Sequence, residues 1–257
     1  MNYPTPFSDV NCLLDELLRQ TGSILTGQLV GFYIDGSLAL GDFDPTHSDI
    51  DFLVATRNPL PEAAVDALVV MHQSLSISQR PFATELEGSY IPIDALRRYT
   101  PDDTIHPNLE RGRDEQLRYK QHHSDWIIHR HIVREHGITL FGPTPDTLID
   151  PVFADDLRAA IAGVMRSWWS TPEAADSIRH GHPGYLAYVV QTMCRALYTW
   201  ENGIVVSKPA ACRWASTALE AEWQPLLRQA VQWEVSTDFV DETQRFIHNS
   251  IRRFNIV

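Results

Sequence analysis

The chain is predicted to be α+β, with an N-terminal domain of a small mixed sheet and flanking helices and a C-terminal domain that is all helical. Three observations predict this. Short apolar runs of strand length alternate with helical periodicity as far as about residue 136. A breaker cluster, Leu140-Phe-Gly-Pro-Thr-Pro145, then interrupts the pattern. Beyond it every segment carries helical spacing. The predicted domains are 1–148 and 149–257, and a chain of 257 residues can give each a real core.

The elements follow in order. Helix is expected over about 8–20, because Val10, Leu13, Leu14, Leu17 and Leu18 share one face behind Ser8 as N-cap. The apolar run 28–34 predicts a buried strand, and 49–55 a second one. Residues 60–75 are helical after Pro59 and Pro61, and 82–91 predict a third strand. Pro101 and Pro107 mark 97–112 as a long loop, and helical signal resumes over 113–136. In the second domain, helices are expected near 154–169, 184–202, 209–220, 223–234 and 238–254.

Composition narrows the function. The net charge of -12 is uneven: residues 1–150 carry 22 acidic and 11 basic side chains, a net of -11, and the remainder carry 11 and 10, a net of -1. An acidic first domain repels a phosphate backbone, so no nucleic-acid partner is expected. It suits metal ions and a cationic small molecule. No apolar run approaches the roughly 18 residues of a membrane span. The start MNYPTPFSDV lacks the pattern of a signal peptide. Cys12, Cys194 and Cys212 are scattered and form no CxxC pair, which predicts buried thiols and a cytoplasmic protein.

The informative stretch runs from Gly36-Ser37 to Ser48-Asp49-Ile50-Asp51, with an apolar tail. Side chains alternate along a strand, so Asp49 and Asp51 point one way while Ile50, Phe52 and Val54 point into a core. Two carboxylates about 7 Å apart along a strand can share a pair of divalent cations. Gly36 permits close backbone approach, and Ser37 offers a hydroxyl and an N–H to a phosphate. A third acid is expected from a neighbouring strand, where Glu85 and Glu87 again share a face. Glu87 is preferred, as general base for an acceptor hydroxyl or as a further metal ligand. Gly-Ser followed by Asp-x-Asp resembles the signature of the DNA polymerase β-like nucleotidyltransferases.

The resemblance narrows to the aminoglycoside nucleotidyltransferases that adenylylate streptomycin and spectinomycin. It rests further on Leu86-Glu87, Cys194-Arg195-Ala-Leu-Tyr198, Gly203, Lys208, Trp214-Ala215 and Gln224-Pro225. It implies Mg²⁺ held by Asp49, Asp51 and Glu87, and Glu87 as base. It implies ATP held through Gly36, Ser37 and Ser48, with Arg195 and Lys208 reaching the triphosphate from the helical domain. Lys208 is one of only two lysines against nineteen arginines, at a predicted helix start, which supports a specific task for it. Arg195 lies mid-helix in an apolar stretch and needs a partner there, which a structural salt bridge would also supply. The implied partners are a nucleoside triphosphate and a small acceptor, with no membrane, on a monomer.

One departure bears on the acceptor. In the resistance enzymes the helix before the arginine opens with acids that hold the drug's cationic groups. Here 182–188 is His-Pro-Gly-Tyr-Leu-Ala-Tyr, and the nearest acids are Glu173 and Asp176. Trp168 and Trp169 either pack in a helical core or shape the acceptor pocket. His122, His123, His129, His131 and His136 fall in one predicted helix without HExxH spacing, so zinc is not expected. Asp125, in the same helix, is a further candidate for nucleotide or metal. Two other readings stand beside adenylyl transfer to a small acceptor: transfer to a protein or RNA hydroxyl, and a nucleotide-binding module without catalysis.

Overall fold

The computed structural model describes residues 4–254. The chain divides into two compact units, 1–151 and 152–257.

The first unit is built on one six-stranded sheet. Along the chain come α1 (Ser8–Ile24), β1 (Leu29–Ile34), the short α2 (Gly36–Ala39), β2 (Ile50–Thr56), α3 (Glu62–Ser76), β3 (Leu86–Pro92) and α4 (Ile93–Arg97). Then follow β4 (Ile105–Leu109), β5 (Arg118–Gln121), α5 (Asp125–His136) and β6 (Ile138–Phe141). The strand order is β5-β4-β3-β2-β1-β6. Only β2 and β3 run parallel; the other pairs are antiparallel. The parallel pair needs a crossover, and α3 supplies it.

Strand parity sorts the side chains onto two faces. Phe32, Ile34, Phe52 and Val54 pack with Leu13, Leu14 and Leu17 of α1 and with Leu68 and Leu75 of α3. Tyr33, Leu53, Ala55 and Ile91 point the other way, onto Leu96 of α4 and Val133 of α5. On β2 and β3 the odd-numbered positions face the second side, and this parity decides where Asp51 and Glu87 go.

Four stretches differ from the sequence expectation. The stretch expected as a loop over 97–112 contains β4, despite Pro107. Pro107 pairs with Tyr119 of β5, and its carbonyl accepts from Ser89 Oγ at 3.1 Å. Proline lacks the N–H, but its carbonyl still serves. The stretch expected as helix from 113 begins as β5, and α5 starts only at Asp125. Arg-Tyr-Lys-Gln of β5 is exposed throughout, so no buried face marks it as a strand. Charged residues of this kind are how an edge strand avoids unwanted pairing. Phe82–Glu85, expected as strand, forms turns ahead of β3, and β6 lies within the breaker region.

The second unit is helical: α6 (Ala154–Val164), a π-helical turn (Met165–Trp169), α7 (Pro172–Arg179), α8 (Pro183–Asn202), α9 (Lys208–Ala218), α10 (Gln224–Val231) and α11 (Val240–Arg253). Helix α8 is its core, with Leu186, Val189, Val190, Met193 and Leu197 buried. Gly203 ends α8 at φ 71°, the left-handed conformation that suits glycine at a helix C-terminus. Ser207 then caps α9 by accepting from the Ala210 N–H at 3.3 Å. Trp168 lies on the π-helical turn and is exposed, so it is not part of a helical core. Among the described residues, no helix is long and apolar enough to cross a membrane.

Candidate functional site

The parallel register sets the acids side by side. Asp51 on β2 is the direct partner of Glu87 on β3. Asp49 immediately precedes β2, two residues before Asp51 and so on the same face. Carboxylate oxygens of Asp49, Asp51 and Glu87 all lie within 4.8 Å of one another, and all three residues are half-buried. Among the described residues this is the only grouping of three or more metal-ligating side chains so close. Burial pushes Asp51 up to about 8, reinforced by the charges of Asp35, Glu87 and Asp49. Burial likewise raises Glu87, with the charge of Asp49 adding to it. Three converging carboxylates at this cost of repulsion are the donor chemistry of a hard divalent cation.

The turn from β1 into α2 faces this cluster. Gly36 has φ 58°, and a Cβ there would fall 1.8 Å from Asp51 Oδ2. The absence of a side chain is thus required twice, by the backbone and by the carboxylate. Ser37 follows, its Oγ buried and without a hydrogen-bond partner. A buried hydroxyl of this kind calls for a partner, and a phosphate oxygen would supply one. Ser48 is engaged locally, its Oγ accepting from the Asp44 N–H at 3.0 Å.

Glu85 and Glu87 part company. Glu85 precedes β3 and pairs with Arg111 Nη2 at 3.2 Å, while Arg111 Nη1 donates to Asp49. Glu87 lies in the strand, among the three converging acids. Arg111 comes from the β4–β5 connection, so it reaches the site only through a strand the sequence hides.

Two further residues were not singled out as a pair by sequence. Asp35, at the end of β1, is 4% exposed. Its side chain accepts from the Gly36 N–H, and its Oδ2 lies 3.2 Å from His129 Nδ1 on α5. Burial works to lower the pKa of His129. The hydrogen bond and charge of Asp35, with Asp125 and Asp51, outweigh it and hold the ring protonated well above its ordinary range. Asp125 Oδ1 is buried without a hydrogen-bond partner.

In the second unit, Arg195 is half-buried on α8, and Lys208 is the first residue of α9. Lys208 Nζ sits 4.2 Å from the centroid of the Tyr188 ring, a cation–π contact. Glu173 and Asp176 are exposed on α7.

Known proteins match over most of the chain. Residues 14–125 match the nucleotidyltransferase domain, and residues 147–253 match the C-terminal domain of aminoglycoside adenylyltransferase. The chain belongs to the aminoglycoside adenylyltransferase family. It is 27% identical to the aminoglycoside (3'')(9) adenylyltransferase of Shigella flexneri, over 94% of this chain and 93% of that one. It is 26% identical to the spectinomycin 9-adenylyltransferase of Staphylococcus aureus, over 92% and 93%. The crystal structure of the spectinomycin adenyltransferase AAD(9) from Enterococcus faecialis, solved with ATP and spectinomycin, superposes with a TM-score of 0.72 at 16% identity. That match covers 95% of this chain and 98% of the other, and it establishes a shared fold.

As a family member, this adenylyltransferase carries its acids where strand parity predicts them. The residues that sequence reasoning missed are Arg111 and the partnership of Asp35 with His129. No local pattern signals either. Arg111 is 62 residues from Asp49, and His129 is 94 residues from Asp35. Asp35 alone had a signal, an acid next to the Gly-Ser turn, which reads equally well as a helix cap.

Proposed function

We propose that this adenylyltransferase moves the adenylyl group of ATP to a hydroxyl of a small cationic acceptor, an aminoglycoside, and releases pyrophosphate. The observation that carries the reading is the convergence of Asp49, Asp51 and Glu87 beside the Gly36–Ser37 turn. Asp49, Asp51 and Glu87 fit Mg²⁺ as oxygen donors and would hold it. Bound there, Mg²⁺ supplies Lewis-acid stabilisation of charge on the triphosphate.

The remaining steps fall to the protein's own groups. The Gly36 and Ser37 amides and the Ser37 hydroxyl bind phosphate oxygens, with Ser48 shaping the loop that follows. Glu87 takes the proton from the acceptor hydroxyl as its oxygen attacks the α-phosphorus; the bond to the β-phosphate oxygen breaks and pyrophosphate leaves. A pKa raised by burial and by the charge of Asp49 suits a base of this kind, since it strengthens the carboxylate's hold on the proton it takes. Arg195 and Lys208 neutralise the triphosphate and the leaving pyrophosphate. The nucleotidyltransferase domain, 1–148, thus carries the chemistry, and the helical domain, 149–257, contributes cations. Glu173 and Asp176 are the exposed acids nearest the expected acceptor-binding stretch and are offered as partners for its cationic groups. The enzyme is assigned to the cytoplasm and to a monomeric state.

Incubation with labelled ATP, Mg²⁺ and a panel including streptomycin and spectinomycin tests the reaction. Labelled acceptor and stoichiometric pyrophosphate are expected; absence of both across the panel would sink the reading. Glu87→Gln is expected to lower turnover about 10²- to 10⁴-fold, the usual worth of a general base. Mg·ATP affinity in that variant separates the two tasks of Glu87: it should change little if Glu87 acts as base alone, and it should fall as well if Glu87 also ligates the metal. A dead Glu85→Gln beside a normal Glu87→Gln would move the base to 85. Replacing both Arg195 and Lys208 by Ala is expected to weaken ATP binding at least tenfold by calorimetry, given about 1.5–3 kcal/mol for each charged hydrogen bond. Unchanged affinity would remove the helical domain from the nucleotide site.

A further inference from the structure

The pairing of Asp35 with His129 takes no part in the reaction as proposed, yet it places a fourth carboxylate beside three that already repel one another. Asp35 is 4% exposed, and a carboxylate buried there is costly unless it is partnered, so its placement needs an explanation.

The geometry gives one. Asp35 directly follows β1 and Ser89 lies on β3, and β2, which carries Asp51, runs between these two strands. The Asp35 N–H donates to the Asp51 carbonyl at 3.0 Å, which ties the end of β1 to β2. Across the same face runs a line of rings. His129, held to Asp35 at 3.2 Å, lies 4.8 Å from Trp126. Trp126 stacks on His122 with centroids 3.4 Å apart and planes within 4°. His122 Nε2 then meets Ser89 Oγ at 2.9 Å, two residues beyond Glu87. The column therefore bridges the two strands that flank Asp51.

We infer that the Asp35–His129–Trp126–His122–Ser89 column is a positioning brace for the nucleotide site. His129 donates through Nδ1 to Asp35. Asp35 in turn fixes the Gly36 N–H, and with it the turn that closes on Asp51. At the far end Ser89 sets the register of the strand carrying Glu87. Rings are suited to this task because they have few rotamers to lose and stack at defined distances. Held at both ends by hydrogen bonds, they keep the phosphate turn and the acids at a fixed spacing before nucleotide arrives, which is the condition for effective catalysis. His129 acts through Asp35 and is a positioning residue.

This inference rests on the adenylyl-transfer reading, and the test separates the two. His129→Ala, His129→Asn and His129→Gln are compared with the unmodified enzyme by calorimetry with α,β-methylene ATP and Mg²⁺, by steady-state kinetics, and by thermal melting. Asparagine places its amide where Nδ1 stands; glutamine places it where Nε2 stands. His129→Ala is expected to weaken analogue binding and raise KM for ATP about tenfold, leaving KM for the acceptor unchanged. His129→Asn should recover most of that loss, and His129→Gln should not. Trp126→Leu removes the stack and keeps the volume apolar; it should shift analogue binding in the same direction, and it keeps the test open if His129→Ala does not fold. Rescue by Gln and not Asn, equal loss in all three variants with normal melting, or unchanged binding in the Ala and Leu variants would each overturn the brace. Failure of the unmodified enzyme to bind the analogue would instead overturn the nucleotidyltransferase reading.

Discussion

Gly36→Ala is expected to abolish measurable adenylyl transfer while leaving the protein folded. The new Cβ would fall 1.8 Å from Asp51 Oδ2 and 2.5 Å from Asp51 Cγ. No rotamer of alanine relieves this, so either Asp51 swings out of the cluster or the turn lifts away from β2. At φ 58° the added Cβ also meets the left-handed penalty, about 1–2 kcal/mol. That strain is small against the stability of a domain, so melting should fall only by several degrees. Catalysis suffers far more, because a displacement of about 1 Å in a reacting constellation costs about 10²-fold. Here an acid of the cluster and the Gly36–Ser37 turn are displaced together. Activity above a tenth of the unmodified level would show that the turn does not set the position of Asp51.

Asp51→Asn separates stability from function. An acid whose pKa rises on folding binds its proton more tightly in the folded state, so stability falls as pH rises. For Asp51 the window opens near the unfolded value of about 3.9 and closes near the folded value of about 8. Without metal, the unmodified enzyme should therefore melt lower at pH 8 than at pH 5.5. Asparagine carries no charge to repel Glu87, Asp49 and Asp35, so the variant should melt higher than the unmodified enzyme at pH 8 in EDTA, with a flatter pH dependence. Added Mg²⁺ should raise the melting temperature of the unmodified enzyme and leave the variant nearly unchanged. Turnover should fall about 10³-fold or more, since several kcal/mol of charge stabilisation goes with the ligand. A variant that melts lower without metal, or that keeps its turnover, would refute the charge cluster as a cation site.

How much was legible beforehand differs from residue to residue. The Asp49–Asp51 pair and its facing direction follow from the two-residue period of a strand, a covalent fact about the backbone. Both glutamates share that parity, so periodicity alone could not choose between them. Pairing separates their positions: β3 begins at Leu86, which puts Glu87 opposite Asp51 and leaves Glu85 outside the strand with Arg111. Strands β4 and β5 were illegible for a different reason. One contains a proline and the other is exposed on both faces, so neither displays the alternation that marks a half-buried strand.

The sequence by itself determined the α+β class with its helical C-terminal part, the glycine-serine turn, the acid pair, and the family resemblance, because each is written in local spacing or motif. Only the tertiary structure decided that Asp35 meets His129, that Arg111 reaches Asp49, and that rings stack from β3 to β1. Those contacts join residues 33 to 94 positions apart. Their partners are selected by strand order and register, which emerge only when the sheet closes and buries its two faces.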